Sequence, residues 1–168
     1  MALARELGDL LGRRKLTLVY GGGRVGLMGA LADAALAAGG RVVGVIPQML
    51  LDREVGHRGL SELHVVETMA QRKQLMGDLS DVFVTLPGGI GTMDELFEAW
   101  SWTQLGLHQK PNGMLNYAGY YDGLLEFLDL AVAQGFLRPH FRAALTVDTD
   151  MARLLERLAS VKQAAPGP

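Results

Sequence analysis

The sequence between Asp81 and Trp102 predicts a buried strand, a glycine-rich turn and a helix in direct succession. Val82–Leu86 is an apolar run of β-forming residues, and Pro87-Gly88-Gly89 ends it. The residues after Thr92 place apolar side chains at helical spacing, with Thr92 expected at the N-cap and Glu95 at the third helical position, as a capping box. This order of elements is typical of folds in which helices cover a parallel sheet.

The start of this predicted helix is suited to an anion. A helix N-terminus offers N–H donors and the positive end of the helix dipole, and phosphate groups commonly bind there. Three glycines, Gly88, Gly89 and Gly91, fall within four residues, which is more than one tight turn needs. The alternative is that the glycines form a plain connection and that Glu95 only caps the helix.

Predicted strands and helices alternate along the rest of the chain. Helices are expected at residues 2–13, 27–38, 68–79, 120–133 and 151–161, and strands at 16–20, 41–46, 63–66, 114–116 and 145–147. The helix at 27–38 is apolar nearly all round, so we expect it to be largely buried. The pattern predicts one α/β domain over residues 1–162, with a parallel sheet covered on both faces, and a frayed tail at 163–168.

Composition excludes several classes of protein. Among 168 residues, 49% are hydrophobic and 20% are charged, and the net charge of −2 leaves no basic excess for a nucleic-acid polymer. The sequence has no cysteine for disulfides or thiolate chemistry, and its 4 histidines lack metal-ligand spacing. It also lacks a membrane-length apolar run and a signal peptide's apolar segment, so we expect a cytoplasmic protein that does not bind membranes.

A second glycine-rich turn, Gly21–Gly26, follows the first predicted strand and has the G-x-G-x-x-G spacing of dinucleotide-binding proteins. An NAD site also needs an acidic residue at the end of the next strand. That strand ends at Ile46-Pro47, and the nearest acids, Asp52 and Glu54, lie beyond it. No Lys-Ser or Lys-Thr follows the glycines, as a Walker loop would require. Both glycine turns leave the carboxyl ends of strands, and we expect them to converge on one crevice.

The helix expected at 68–79 places an arginine among apolar side chains. Its start carries a T-x-x-Q capping box, and one face holds Arg72 beside the apolar residues Met69, Met76 and Leu79. An arginine in such a stripe needs an anionic partner from the protein or from a ligand. The alternatives are a salt bridge to an internal carboxylate and an arginine at the stripe's edge that reaches water.

Other charged residues have no clear assignment from the sequence. The residues alone favour a solvated charge for Lys73, and His108 and Lys110 lie in a predicted loop. The segment 48–63 is expected to be irregular, and its polar residues are Asp52, Arg53, Glu54, His57 and Arg58.

Several motifs together carry a family resemblance. Residues 87–95, PGGIGTMDE, match the pattern PGGxGTxxE, residues 21–29 match GGGxxGLMG, and residues 67–73, ETMAQRK, contain an M-x-x-R-K helix start. The resemblance extends over WTQLG at 102–106, His108, Lys110-Pro111 and Leu115-Asn116. In this combination the sequence resembles the LOG (Lonely Guy) family of cytokinin riboside 5′-monophosphate phosphoribohydrolases, which are often labelled lysine decarboxylases.

The resemblance implies a Rossmann-like enzyme that hydrolyses the N-glycosidic bond of a nucleoside 5′-monophosphate, AMP or a cytokinin riboside 5′-monophosphate, to a free base and ribose 5-phosphate. It implies that Arg72 and Glu95 are catalytic. The residues that it implies for substrate binding are Gly21, Gly22, Gly23, Gly26, Met69, Arg72, Lys73, Gly88, Gly89, Gly91, Thr92 and Glu95.

These residue types suit the reaction. Cleavage builds oxocarbenium character on the ribose, and a carboxylate can stabilise that charge, orient a ribose hydroxyl or activate water. Arg72 can orient Glu95 or the phosphate, or stabilise the leaving base. The sequence does not choose among these roles.

The resemblance requires no metal or cofactor and implies a homodimer or a higher multiple. Phe97, Trp100 and Trp102 also indicate an interface, because they give their helix more aromatic surface than one core face uses. A lysine decarboxylase would instead hold pyridoxal phosphate on a lysine. No recognisable cofactor motif surrounds any lysine of the sequence: Lys15, Lys73, Lys110 or Lys162.

The sequence departs from the family at its start. The family has a further strand before the first helix, ending in a Gly-Ser turn that lines the nucleotide pocket. Here the sequence begins at the helix, so we expect the fold to lack that strand. The backbone N–H and C=O groups of the strand that would lie beside it are then expected to be unpaired.

Two other classes of function stay open on sequence grounds. One is a nucleotide- or cofactor-binding Rossmann-like protein without catalysis, and the other is a structural or interaction protein that keeps only the fold. The presence of both Arg72 and Glu95 favours the enzyme.

Overall fold

A computed structural model describes residues 1–53 and 56–164, without the side chains of residues 163 and 164. In chain order the elements are α1 (Ala2–Arg13), β1 (Leu18–Tyr20), α2 (Gly26–Ala37), β2 (Val42–Pro47), α3 (Gln48–Leu51), β3 (Glu62–Val66), α4 (Met69–Leu79), β4 (Phe83–Thr85), α5 (Ile90–Gln104), β5 (Asn112–Leu115), a 3-10 turn (Tyr117–Gly119), α6 (Asp122–Ala133), α7 (Pro139–Ala144), β6 (Leu145–Asp148) and α8 (Met151–Ala164).

The predicted α/β class and the parallel strands are confirmed. The chain divides into two compact units, Met1–Ser80 and Asp81–Pro168. Each unit contains a three-stranded parallel sheet flanked by helices, with strand order β1-β2-β3 in the first unit and β4-β5-β6 in the second. The single domain over residues 1–162 stays a prediction.

In the first unit, two glycines bring α1 and α2 close together. Gly8 and Gly12 are buried on one side of α1, and a Cβ at Gly8 would collide with the backbone carbonyl of Leu31 on α2. The helix predicted at residues 2–13 is confirmed, and its glycines set the distance between α1 and α2. The central strand β2 is buried along its whole length.

The expectation that the helix at 27–38 is largely buried is wrong for its first turn. Leu31, Ala32 and Ala35 are buried, whereas Leu27 and Met28 are exposed by 48% and 38%. Apolar residues all round the helix did not reveal which side chains are exposed. Only the side of α2 that packs on α1 and the sheet is buried.

The segment predicted to be irregular, residues 48–63, contains the single helical turn α3. After it, Gly56 pairs with Gly23 in an isolated antiparallel bridge, so this segment returns to the first glycine turn. Glu54 lies outside the described residues. Gly56 and Gly23 are distant in sequence, so local periodicity does not reveal this contact.

In the second unit, the core is formed by Leu96, Trp100, Met114, Tyr121, Leu128 and Leu145. The indole Nε1–H of Trp100 donates a hydrogen bond to the carbonyl oxygen of Phe141 in α7, at 3.1 Å. The sequence did not predict α7. It is only six residues long, with a proline at its start, so its hydrophobic periodicity is too short to be recognised.

The carboxyl end of β6 is tied to α8 by a buried carboxylate. Asp148 is 7% exposed, and it accepts hydrogen bonds from Arg153 Nε at 2.9 Å and from Arg157 Nη1 at 3.0 Å. The hydrogen bond from Arg153 is the largest cause holding the pKa of Asp148 well below its usual range. The carboxylate is therefore charged at neutral pH.

Within the described residues, α1 begins at Ala2 with no strand before it, and β1 and β4 each lie at an edge of their own sheet. Of the tail predicted at 163–168, residues 163 and 164 continue α8, and residues 165–168 lie outside the described part of the chain. None of the described helices is both long and apolar enough to cross a membrane.

Candidate functional site

The sequence-predicted site residues fall into two groups, one in each unit. The first unit holds the turn Gly21–Gly26 after β1 and the start of α4, which carries Met69, Arg72 and Lys73. The second unit holds the turn at residues 87–89 after β4 and the start of α5. That the two groups share one crevice stays a prediction.

Two carbonyl oxygens of the first glycine turn accept hydrogen bonds from other parts of the protein. The hydroxyl of Tyr20 donates to the carbonyl of Gly23 at 3.2 Å, and the backbone N–H of His57 donates to the carbonyl of Gly22 at 3.1 Å. Burial, assisted by the negative charge of Asp33, raises the pKa of Tyr20 to about 12, so its hydroxyl keeps the donated proton at neutral pH.

His57, which the sequence left unassigned, supports this turn. Its ring is buried, Nε2 lies 2.8 Å from Asp33 Oδ1 on α2, and Nδ1 accepts the N–H of Gly59 at 3.2 Å. Because Nδ1 accepts, the proton is on Nε2 in the neutral ring and is donated to the carboxylate. His57 thus ties the returning segment to α2.

Arg72 lies against the same turn. Its Nε donates to the carbonyl of Val45 on β2 at 3.2 Å, and a Cβ at Gly21 would collide with its Nη2. Gly21 is therefore needed because it lets the guanidinium reach the backbone of the turn. This proximity joins two of the motifs on which the family resemblance rests.

The apolar stripe predicted around Arg72 is not a buried face of α4. Met69 and Leu79 are exposed by 38% and 42%, and Gly77 is the residue of α4 that is buried. Arg72 is half-buried against backbone, with Met69 Sδ 3.8 Å from its Nη1. The i+3 and i+4 spacing identified residues on one side of α4, but it did not predict whether that side is buried.

The predicted capping box at the start of α4 is confirmed. The N–H of Gln71 donates to Thr68 Oγ1 at 3.1 Å, and the N–H of Thr68 donates to Gln71 Oε1 at 3.3 Å. The box fixes where the helix begins, and it thereby places Met69, Arg72 and the half-buried Lys73 in the first two turns.

The predicted capping box at the start of α5 is wrong. The helix begins at Ile90, its N-cap is Gly89, and no side chain caps it. The N–H of Met93 donates to the carbonyl of Gly89 at 3.1 Å, which makes Thr92 the third helical residue. Without a Cβ, Gly89 enters the helix directly from an extended conformation, so the helix starts earlier than the threonine pattern indicated.

The glycines of the second turn serve two different purposes. A Cβ at Gly88 would collide with Thr92 Oγ1, so Gly88 allows the threonine hydroxyl to fold back over the turn. Among the described residues, a Cβ at Gly89 or Gly91 would meet no atom within 4 Å other than those of chain neighbours and of the α5 backbone. Glycine in the middle of a helix costs about 0.5–1 kcal/mol relative to alanine. At Gly91, in the first turn, no packing by the described residues requires a glycine. The start of α5 is open to the close approach of a ligand.

Glu95 lies on the side of α5 that carries this opening. It follows Thr92 by three residues and Gly91 by four, which are the spacings of neighbours on one helix face, and its side chain is half-buried. Because it lies in the second turn, it is too far along the helix for the reciprocal capping role that the sequence left open.

His108 and Lys110 lie away from the second turn. His108 Nδ1 accepts the N–H of Lys110 at 3.2 Å in the loop that enters β5, whereas the turn leaves the opposite, carboxyl end of the parallel strand β4. Burial lowers the pKa of His108, and the charge of Lys110 lowers it further, so the ring is neutral at pH 7. These residues order the loop rather than the glycine turn.

Sequence reasoning missed the tyrosines that contact the turns. Tyr20 immediately precedes the first turn, but Tyr120 and Tyr121 donate to the carbonyls of Gly88 and Leu86 across 32 and 35 residues. A tyrosine next to a glycine turn is a usable signal for the first contact. The contacts of Tyr120 and Tyr121 depend on how the segment before α6 packs beside the end of β4. The spacing of residues within either segment does not encode this packing.

Glycine turns that leave parallel strands and lead into helix starts are typical of nucleotide-binding α/β proteins. The family described as "Possible lysine decarboxylase" matches residues 28–158. The cytokinin riboside 5′-monophosphate phosphoribohydrolase of Rhodococcoides fascians is 49% identical over 94% of this chain and 80% of that protein. A probable enzyme of the same name from Oryza sativa is 47% identical over 92% of this chain and 64% of that protein. The enzyme of that name from Arabidopsis thaliana is 45% identical over 92% of this chain and 73% of that protein. This chain belongs to the LOG family.

Solved structures share the fold at lower identity. The molybdenum cofactor carrier protein of Chlamydomonas reinhardtii has a TM-score of 0.71 and 21% identity over 95% of this chain and 86% of that chain. A molybdenum cofactor binding protein from Rippkaea orientalis has a TM-score of 0.68 and 21% identity, covering 94% and 85% of the two chains. These similarities concern the fold alone.

Proposed function

We propose that this protein hydrolyses the N-glycosidic bond of a nucleoside 5′-monophosphate, with AMP or a cytokinin riboside 5′-monophosphate as substrate. Water adds to C1′ of the ribose as the bond from C1′ to the base nitrogen breaks. The products are the free base, whose nitrogen gains a proton, and ribose 5-phosphate. Relatives of 43–49% identity named as phosphoribohydrolases support this reaction, whereas the two molybdenum cofactor proteins described above share 21% identity and only the fold.

The observation that carries the proposal is the open start of α5. The N–H groups of Ile90, Gly91 and Thr92 precede the helix's own hydrogen-bond ladder, and the helix dipole makes this end positive. Apart from chain neighbours and the backbone of α5 itself, none of the described residues fills the space beside Gly89 and Gly91. We assign the 5′-phosphate to this position, with Thr92 Oγ1 as a further hydrogen-bond partner.

The ribose is assigned to the side of α5 that carries Glu95. A carboxylate one turn from the phosphate position lies within reach of the sugar, where its negative charge stabilises the oxocarbenium character of the transition state. The planar guanidinium of Arg72 supplies fixed donors for Glu95, the phosphate or the leaving base. We assign Gly21, Gly22, Gly23, Gly26, Met69 and Lys73 to the remaining contacts with the nucleotide.

Hydrolysis of AMP tests the proposed function directly, and adenosine tests the role of the phosphate. We expect free adenine and ribose 5-phosphate from AMP, and a turnover of adenosine at least about 100-fold lower, because phosphate contacts contribute binding energy that places the ribose. Thr92→Ala is expected to raise the KM for AMP about tenfold through loss of one hydrogen bond. Chromatographic detection of adenine gives both results.

Ser101→Ala is the matched control for Thr92→Ala. It removes an exposed hydroxyl from the same helix, where Ser101 Oγ donates to the carbonyl of Phe97 at 2.6 Å, far from the helix start. It is expected to leave the KM unchanged. Equal turnover of adenosine and AMP would contradict a phosphate site at the start of α5.

We also propose a cytoplasmic location and a homodimer or a multiple of it. Four apolar side chains are exposed along α5 and the loop after it, by 39–89%: Ile90, Phe97, Leu105 and Leu107. A second copy of the chain would cover this α5 surface. Trp100 does not contribute to it, because it is buried in the core.

Light scattering at micromolar concentration is expected to give at least twice the mass of one chain. Leu105→Asp should lower that mass, since it places a charge in the α5 surface, whereas Leu130→Asp on α6, also at an exposed leucine, should not. A monomeric mass for the unaltered protein would contradict the dimer, and an unchanged mass for Leu105→Asp would contradict this interface.

A further inference from the structure

Two consecutive tyrosines hold the backbone of the second glycine turn. The hydroxyl of Tyr120 donates to the carbonyl oxygen of Gly88 at 2.8 Å, and the hydroxyl of Tyr121 donates to that of Leu86 at 2.6 Å. Their rings contact each other edge to face, with centroids 4.9 Å apart. The turn is therefore fixed by two hydroxyls from one side.

The segment that carries the tyrosines is itself firmly placed. Asn116 is buried at the end of β5, where its Oδ1 accepts the N–H of Tyr121 at 2.8 Å and its Nδ2 donates to Asp122 Oδ1 at 2.7 Å. The chain reverses through Ala118 and Gly119, both with positive φ. Asn116 thus sets the positions of both tyrosines before α6 begins.

Fixing the carbonyl of Gly88 also fixes the direction of the next N–H. In a planar trans peptide the C=O and N–H groups point in opposite directions, so a carbonyl turned toward Tyr120 turns the N–H of Gly89 away from it. Between two glycines this peptide would otherwise rotate with little steric resistance. The restraint matters most here, because Gly89 is the N-cap residue of α5.

We propose that Tyr120 is a positioning residue that orients the N–H of Gly89 toward the substrate's phosphate. This inference rests on the proposed function, since it needs a phosphate at the start of α5. A site for an anion must present N–H groups and turn its carbonyl oxygens away, because carbonyl dipoles repel negative charge. The bond from Tyr120 satisfies both requirements with one hydroxyl.

The first glycine turn provides an independent parallel. There Tyr20 donates to the carbonyl of Gly23, which by the same geometry fixes the N–H of Arg24. Tyr20 and Tyr121 are buried, at 5% and 3% exposure, so removing either hydroxyl would also change the packing around the ring. Tyr120 is 58% exposed, so its hydroxyl is the one that an experiment can isolate.

Tyr120→Phe removes the hydroxyl and keeps the ring contact with Tyr121. We expect the KM for AMP and the inhibition constant of ribose 5-phosphate to rise about tenfold, while inhibition by adenine and the melting temperature stay unchanged. Adenine carries no phosphate, so a general distortion of the protein would weaken both inhibitors. Tyr117→Phe, at an exposed tyrosine three residues earlier, is expected to change none of these values.

Wild-type ribose 5-phosphate inhibition in Tyr120→Phe would overturn the positioning role, and so would equal weakening of ribose 5-phosphate and adenine. Failure of the proposed function would appear separately, as a wild-type protein that does not hydrolyse AMP. Calorimetry would then compare ribose 5-phosphate binding to the wild-type protein and to Tyr120→Phe. Weaker binding to the variant would support the positioning role. Equal binding to both proteins, or no binding to either, would overturn it.

Discussion

Glu95→Gln is expected to give a folded protein that still binds AMP and hydrolyses it roughly 100-fold or more slowly. The amide keeps the shape of the side chain, but it neither balances an oxocarbenium charge nor accepts a proton. Because Glu95 lies in the second turn of α5 and not at a capping position, we expect its replacement to change the free energy of unfolding by less than about 1 kcal/mol. Turnover, AMP affinity and thermal unfolding measured together check this result.

Glu98→Gln is the matched control for this change. It makes the same chemical substitution three residues further along α5, away from the open helix start. We expect its turnover of AMP to remain near that of the wild-type protein. A Glu95→Gln variant with near wild-type turnover would refute the catalytic assignment.

Arg72→Lys is expected to lower turnover by a similar factor, roughly 100-fold, although the positive charge is retained. The guanidinium donates through Nε to the carbonyl of Val45 and presents Nη2 against Gly21. A single ammonium group cannot do both, so it would not hold the same position. Arg5→Lys, at an exposed arginine on α1, is the control, and kcat and KM for AMP are the measurements.

The double variant tests whether Arg72 and Glu95 serve one step. If both act on the same transition state, the double variant should be little slower than either single variant. Strictly additive losses would indicate independent effects and would contradict a shared catalytic site.

Much of the fold was predictable because its signals are local. Alternating strands and helices follow from apolar periodicity, which depends on neighbours within a few residues. The capping box at Thr68 and Gln71 is confirmed because both hydrogen bonds join residues that are three apart. Gly39 and Gly135 end their helices with positive φ, as glycine does after a helix.

Local signals failed at the start of α5, where the same residues are compatible with two different positions for the first turn of the helix. Thr92 and Glu95 have the spacing of a capping box, but the glycines before them allow α5 to begin at Ile90, and the threonine then folds over Gly88. The motif was therefore recognised correctly while its geometry was not. A pattern of residue types does not state which backbone conformation a glycine adopts.

By itself the sequence determined the α/β class, the two glycine turns and the residues on which the family assignment rests. Only the tertiary structure decided which residues contact them. The guanidinium of Arg72 packs against Gly21, the N–H of His57 donates to the carbonyl of Gly22, and the hydroxyl of Tyr120 donates to that of Gly88. These contacts join residues 32 or more positions apart, and their formation depends on how strands and helices pack. Periodicity and capping encode each element's own preferences, whereas such contacts exist only after the elements have assembled.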